Sequence, residues 1–175
     1  MSGDKLSTIT HVLLTRTANQ NEVNLGRPLT LDLSFRIDGH IRHVFNPRIW
    51  ESAYNKHDTV FRISIVVTVK AGKTKLLLTK LTRRAALFWT RNPKISSRIW
   101  VYITSDDTPC YPNSVEEARS LLFNIEKRIQ VDTSNLGAGN HLLCAQVNVF
   151  WGRHHYTERS EIKAVSNMIK VDIED

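Results

Sequence analysis

The stretch "VFRISIVVTVKAGKTKLLLTKLT", Val60–Thr82, decides the fold class because an alternating apolar run is followed by a turn signal and a second apolar run. In its first half every second residue is large and apolar, namely Phe61, Ile63, Ile65, Val67 and Val69. Successive side chains of a strand point to opposite faces, so this pattern predicts a strand with one buried face. The Ala71-Gly72 pair then predicts a hairpin that joins Val60–Lys70 to Thr74–Thr82.

The same period of two recurs in "LTLDLSFRI", "HLLCAQVNVFW" and "MIKVDIE", and "ITHVLLTR", "IWVYI" and "FNIEKRIQV" are further strand candidates. The side chains expected to face inward are Leu29, Leu31, Leu33, Phe35, Ile37, Leu143, Ala145, Val147, Val149, Trp151, Ile169, Val171 and Ile173. One segment, "NSVEEARSLL", predicts a short helix over Ser114–Leu122, because Ser114 and Glu117 form a capping box. A second helix or an irregular connector is expected within Pro47–Lys56.

Many short strands with one helix predict an all-β protein, a two-sheet antiparallel sandwich of seven to ten strands. A length of 175 residues favours one domain, 1–175, and 41% hydrophobic with 23% charged residues is typical of globular proteins. No apolar run approaches the roughly 18 residues of a membrane span, and the N-terminus lacks an apolar segment of secretory type. We therefore expect a cytoplasmic protein without a transmembrane segment.

The C-terminal stretch "LGAGNHLLCAQVNVFWGRHHYTERSEIKAVSNMIKVDI" resembles the last two strands of immunoglobulin-like and fibronectin-like modules, with Leu136, Gly139 and His141 in the turn that enters the first of them. The resemblance implies an Ig-like sandwich, and the chain length leaves room for extra strands or for an enlarged, arrestin-like sandwich. His141 stands where such modules carry Tyr. Cys144 has outward parity, so we expect Cys110 and Cys144 to be free thiols.

The net charge of +7 is unevenly distributed along the chain. Residues 59–105 contain no acidic residue and ten basic ones, which are Arg62, Lys70, Lys73, Lys75, Lys80, Arg83, Arg84, Arg91, Lys94 and Arg98. The rest of the chain holds 14 basic residues and all 17 acidic ones. The whole positive excess therefore belongs to one segment, which makes this segment the candidate for contact with an anionic partner.

Aromatic residues are interleaved with these charges, because Phe88 and Trp89 precede Arg91 and Trp100 follows Arg98. Basic and aromatic side chains together suit nucleic acid, an anionic membrane surface or an acidic protein. The plainer alternative is a solvated sheet face with its aromatic residues in the core. The candidate anion-binding residues are Lys73, Lys75, Lys80, Arg83, Arg84, Trp89, Arg91, Lys94 and Arg98.

No catalytic or cofactor motif is present in the sequence. G-x-S-x-G is absent, and "AGKTK" has Thr68 where a phosphate loop needs its first glycine, so we predict neither an enzyme nor a cofactor. His40, His43, His154 and His155 leave a histidine metal-binding protein as a further alternative. The favoured prediction is a non-enzymatic interaction or adaptor module with a basic face, whose partner is another protein. Nucleic-acid binding through residues 59–105 is the first alternative.

Overall fold

The structure, a computed structural model, describes residues 8–17, 23–24, 26–39, 60–88, 100–105, 108–110, 115–153 and 160–175. Several sequence predictions lie outside these residues. They concern the connector Pro47–Lys56, the capping residue Ser114, the candidate residues Trp89, Arg91, Lys94 and Arg98, and the histidines His40, His43, His154 and His155.

The described residues form eleven strands and one helix. They are β1 Thr8–Arg16, β2 Val23–Asn24, β3 Leu29–Asp38, β4 Val60–Ala71, β5 Thr74–Phe88, β6 Trp100–Ser105, β7 Thr108–Cys110, α1 Val115–Phe123, β8 Asn124–Val131, β9 Gly139–Arg153, β10 Ser160–Val165 and β11 Ile169–Glu174. The strand count exceeds the predicted seven to ten, because β2 and β7 are too short to carry an alternating pattern. The predicted helix is confirmed to within one residue at each end.

The strands form two sheets. The small sheet has the order β1-β3-β8, and the large sheet has the order β2-β11-β9-β4-β5-β6-β7, with β10 beside β9. Every pairing is antiparallel except that of the two-residue β2 with β11. The hairpin predicted at Ala71-Gly72 is confirmed as β4–β5 and is longer than expected, because β5 continues to Phe88.

One hydrophobic cluster contains the inner faces of both sheets. The small sheet contributes the alternate residues of β3 and β8, and the large sheet contributes those of β4, β9 and β11. The predicted inward residues from Leu29 to Ile37, from Ile63 to Val69 and from Leu143 to Val149 are all buried. Because two sheets share one core, the fold is an all-β sandwich, as predicted. From α1, Leu122 and Phe123 also enter this core.

The β4–β5 turn contains Gly72 and Lys73 between the paired residues Ala71 and Thr74. Gly72 has φ +60°, whereas Lys73 does not have a positive φ, a combination typical of a type II′ hairpin turn. A methyl group at Gly72 would contact nothing within 4 Å, so only the backbone conformation demands glycine. The turn places the two strands, and with them the lysines that follow, in fixed register.

We expect Gly72→Ala to lower the free energy of unfolding by about 1 kcal/mol, because an L side chain is strained at this positive φ. Urea denaturation followed by circular dichroism measures the change. Lys73→Ala, at the next turn position, is the matched control and is expected to change stability by less than about 0.5 kcal/mol. Equal stabilities of the two variants would contradict the assigned turn conformation.

Candidate functional site

The strand pairings identify the residues on the outer face of the large sheet, because directly opposed residues share a face. Ile65 opposes Leu81 on one side and Val149 on the other, and all three are buried on the inner face. One position further along, Val66 opposes Lys80 and Asn148, and this row therefore lies on the outer face. Lys163 of β10 opposes Asn148 and extends the row by one strand.

A β-bulge places Lys75 on the same outer face. Val69 pairs with Leu77 but Lys70 pairs with Lys75, so Leu76 is an extra residue on β5. If β5 paired regularly, without the bulge, Lys75 would share the inward face of Leu77, because one residue of shift exchanges the two faces. With the bulge, Lys75 lies opposite Lys70 and is exposed.

We call Lys70, Lys75, Lys80 and Lys163 the lysine face; it is flanked by Lys73 in the turn. Lys75 and Lys80 are separated by about 17 Å along β5, and Lys80 and Lys163 by about 14 Å across three strand spacings. In the described part of the chain, Lys73, Lys75 and Lys80 are exposed and make no hydrogen bond or ion pair. Lys70 and Lys75 directly oppose each other, which is unfavourable for like charges unless an anion lies between or above them.

Polar side chains connect the two ends of the lysine face. The Lys70 ammonium donates to Gln146 Oε1 at 3.4 Å, Gln146 Nε2 donates to Asn148 Oδ1 at 3.1 Å, and Asn148 Nδ2 donates to Glu161 Oε1 at 3.0 Å. Lys163 Nζ lies 3.6 Å from the same Glu161 oxygen. Glu161 is the only acidic residue in the sequences of β4, β5, β9 and β10. The face therefore keeps a positive excess.

Apolar side chains are exposed between the lysines. Leu78 lies between Lys75 and Lys80 on β5 and is 53% exposed, and Val165 is 61% exposed at the other end of the same cross-strand row. Protein interfaces combine apolar contact area with a charged, solvent-accessible rim. The described face has this composition.

Arg83, one of the candidate anion-binding residues, does not belong to the lysine face. It opposes Ile63 and shares the inner face with Leu81, two positions earlier on β5. Its exposed fraction is 9%, whereas Lys80, three positions earlier in the sequence, is exposed. The guanidinium is thus buried at the core side of the sheet, where it cannot meet a ligand bound to the outer face.

The remaining candidate residues are located only in part. The backbone of Arg84 pairs with Arg62 on β4 and with Thr104 on β6. Trp89, Arg91, Lys94 and Arg98 lie outside the described residues. Lys163 was missed by the sequence reasoning because it is distant in sequence from the acid-free segment. The signal for it was the alternating pattern of "SEIKAV" next to β9, which places Lys163 on the polar side.

The outer face of the small sheet has a different charge pattern. Arg128 Nε donates to Asp32 Oδ1 at 2.9 Å, and this hydrogen bond raises the pKa of Arg128 above its ordinary value. Arg36 Nε donates to Asp38 Oδ1 at 3.0 Å. A hollow of about 520 Å³ on this face is lined by both signs of charge. Two pairs of its charges, Arg128 with Asp32 and Arg36 with Asp38, neutralise each other, which distinguishes this face from the lysine face.

The described residues include a free thiol but no cluster of metal ligands. No group of three or more His, Cys, Asp or Glu side chains converges there as metal ligands. Cys144 is a free thiol on the outer face beside Lys70, as its parity predicted. No helix in the described part of the chain is long and apolar enough to span a membrane.

Comparisons with known proteins assign no family to the chain. No protein-family model and no curated protein matches its sequence. Among solved structures, it is similar to AggA, the major subunit of aggregative adherence fimbriae type I of Escherichia coli, at 8% identity and a TM-score of 0.28. The match covers 94% of this chain and 95% of that chain. At this TM-score we base no conclusion on the likeness, and the assignment of a sandwich rests on the strand pairings and the shared core.

Proposed function

We propose that the protein is a non-enzymatic interaction module that binds an acidic protein surface through the lysine face. The observation that carries the proposal is the exposure of Lys73, Lys75 and Lys80 on one hairpin, with no ion pair or hydrogen bond among the described residues. Unpaired exposed cations attract an anionic partner over roughly 10 Å at about 0.1 M ionic strength. Such charges mainly increase the association rate and select the partner.

The composition of the face favours a protein over nucleic acid. Leu78 and Val165 offer exposed apolar area between the charges, which a phosphate backbone does not use. Single-stranded nucleic acid needs exposed aromatic rings for stacking, and Phe150 is the outer-face aromatic residue whose side chain is described. It is partly buried, which reduces the ring area available for stacking. We therefore place the acidic protein first and nucleic acid second.

We further propose that the sandwich is Ig-like. The turn before β9 supports this assignment, because Leu136 is buried and Gly139 has φ +119°. His141 Nε2 donates to the Gly137 carbonyl at 2.7 Å. In Ig-like modules a Tyr hydroxyl makes a comparable bond to backbone a few residues upstream, and His141 occupies the position expected for that Tyr. Modules of this architecture commonly serve as binding domains, which is an argument by analogy of fold.

The test is binding of poly-L-glutamate to the whole chain at salt concentrations between about 50 and 200 mM. We expect binding that weakens as salt rises, and a dissociation constant at least tenfold higher for Lys75→Glu/Lys80→Glu. Fluorescence anisotropy of the labelled polymer measures both effects. Circular dichroism verifies that each variant is folded.

The matched control is Arg36→Glu/Arg128→Glu, which changes the net charge by the same amount on the outer face of the small sheet. Its two ion pairs are exposed and contribute little to stability, so the variant is expected to fold and to bind within about threefold of the wild type. Tighter binding of a single-stranded or duplex oligonucleotide at equal salt, lost in the same lysine variant, would replace the acidic protein by nucleic acid. No binding of any polyanion at low salt would overturn the proposal.

A further inference from the structure

Among the strands that the structure describes, one long segment of β5 pairs on one side only. β4 pairs with β5 from Thr74 to Ala86, whereas β6 pairs only with Arg83–Phe88. Along Thr74–Thr82, no strand among the described residues occupies the side opposite β4. The segment spans nine residues, or about 27 Å, which is long for an exposed strand edge.

An open edge presents backbone N–H and C=O groups that can pair with an extended chain. On Thr74–Thr82, the side chains beside this edge include the exposed Lys75 and Lys80. Lysine at an edge disfavours pairing with a second copy of the same strand, because the like charges would be brought together. The same lysines favour pairing with an acidic strand, so the charge of the edge selects its occupant.

The side chains on the two faces of β5 determine which side chains a strand bound beside it would need on each face. On the outer face its side chains would stand beside Lys75 and Lys80, where carboxylates are complementary. On the inner face they would stand beside Leu77 and Thr79, which are only partly buried at the margin of the sandwich. Small β-branched side chains suit that margin because they fit a pleated, half-buried surface.

We propose that Thr74–Thr82 is a β-augmentation site that binds an extended acidic segment of a partner protein, with acidic residues alternating with small β-branched ones. The inference rests on the proposed function and specifies its binding mode. The partner's backbone pairs with the β5 edge, and its carboxylates meet Lys75 and Lys80. Backbone pairing supplies affinity and the lysines supply selectivity.

The experiment uses the whole chain and three nine-residue peptides. The first alternates Glu and Thr, the second is identical but has its two central consecutive amides N-methylated, and the third alternates Lys and Thr. Methylation of two consecutive amides removes donors from both edges of the peptide while its charge is unchanged. We expect the first peptide to bind at least tenfold more tightly than the second, and the third not to bind.

Hydrogen exchange of the protein amides provides the second measurement. The Glu-Thr peptide is expected to slow exchange at alternate amides within Thr74–Thr82 at least tenfold and to leave the β8 edge unchanged. Equal binding of the first two peptides without protection on β5 would overturn the inference and leave binding by charge intact. Failure of both poly-L-glutamate and the acidic peptides to bind would overturn the proposed function and this inference with it.

Discussion

Arg83→Glu is expected to lower the free energy of unfolding by at least about 3 kcal/mol, the largest effect that we predict for a single substitution. Arg83 is only 9% exposed and faces the core side of β5, opposite Ile63 of β4 and two residues after Leu81. A glutamate there would be a desolvated anion on the core side of the sheet, which is costly. Urea denaturation followed by circular dichroism measures the loss.

Two variants separate burial from charge. Lys80→Glu makes the same reversal at an exposed outer-face position and is expected to alter stability by less than about 0.5 kcal/mol. Arg83→Met keeps an unbranched side chain without the charge and is expected to remain within about 1.5 kcal/mol of the wild type. If Arg83→Glu proved as stable as Lys80→Glu, Arg83 would have to reach solvent in the folded protein.

This prediction also determines which variants can test binding. The sequence alone suggests reversing Arg83, Arg84 and Arg91 together, since all three belong to the acid-free segment. Loss of binding in that triple variant would be indistinguishable from partial unfolding, because Arg83 is buried. Lys75 and Lys80 are exposed on the outer face, and their reversal changes the binding surface without entering the core.

The burial of Arg83 could not be predicted from the sequence alone, because it depends on how β5 pairs with β4. Alternation along β4 predicts that Ile63 and Ile65 face inward, and both are buried. Because Ile65 pairs with Leu81, Leu81 also lies on the inner face, and so does Arg83 two residues later. Charge composition gave the opposite expectation, because it counts basic residues without regard to the face that each occupies.

The position of Lys75 shows what sequence periodicity cannot supply. Leu77 faces inward, and Lys75 lies two residues before it, so regular alternation along β5 would place Lys75 inward as well. The bulge at Leu76 reverses this parity, and no glycine or proline in "TKLLL" marks it. Core strands were therefore predictable because their two-residue pattern is unbroken, whereas the lysine face depends on one irregular residue and on Lys163 from a distant strand.

The second large effect concerns Asn167, which links the two sheets. β10 and β11 run along β9 one after the other, and the chain between them leaves the regular pairing. Ser166 stays attached to β9, because its amide donates to the Ala145 carbonyl and its Oγ accepts from the Ala145 amide, both at 2.8 Å. This attachment directs Asn167 toward β1 of the small sheet.

The Asn167 carboxamide pairs with both backbone groups of Leu14. The Leu14 amide donates to Asn167 Oδ1 at 2.8 Å, and Asn167 Nδ2 donates to the Leu14 carbonyl at 2.9 Å. Leu14 itself is fully buried. One side chain thus satisfies the donor and the acceptor that an adjacent strand would otherwise engage, because a carboxamide carries both a hydrogen-bond donor and an acceptor. The two hydrogen bonds hold β1 of the small sheet against the large sheet.

Asn167→Ala is therefore expected to lower the free energy of unfolding by about 2 kcal/mol, because both backbone groups of the buried Leu14 lose hydrogen bonds that are partly shielded from solvent. Urea denaturation measures the loss, and hydrogen exchange of the Leu14 amide is expected to accelerate in the same variant. Met168→Ala is the matched control, since Met168 is the next residue and is 67% exposed, and it is expected to change stability by less than about 0.5 kcal/mol. Equal stabilities with unchanged Leu14 exchange would mean that water replaces the carboxamide and that β1 is held by its pairing with β3 and by core packing alone.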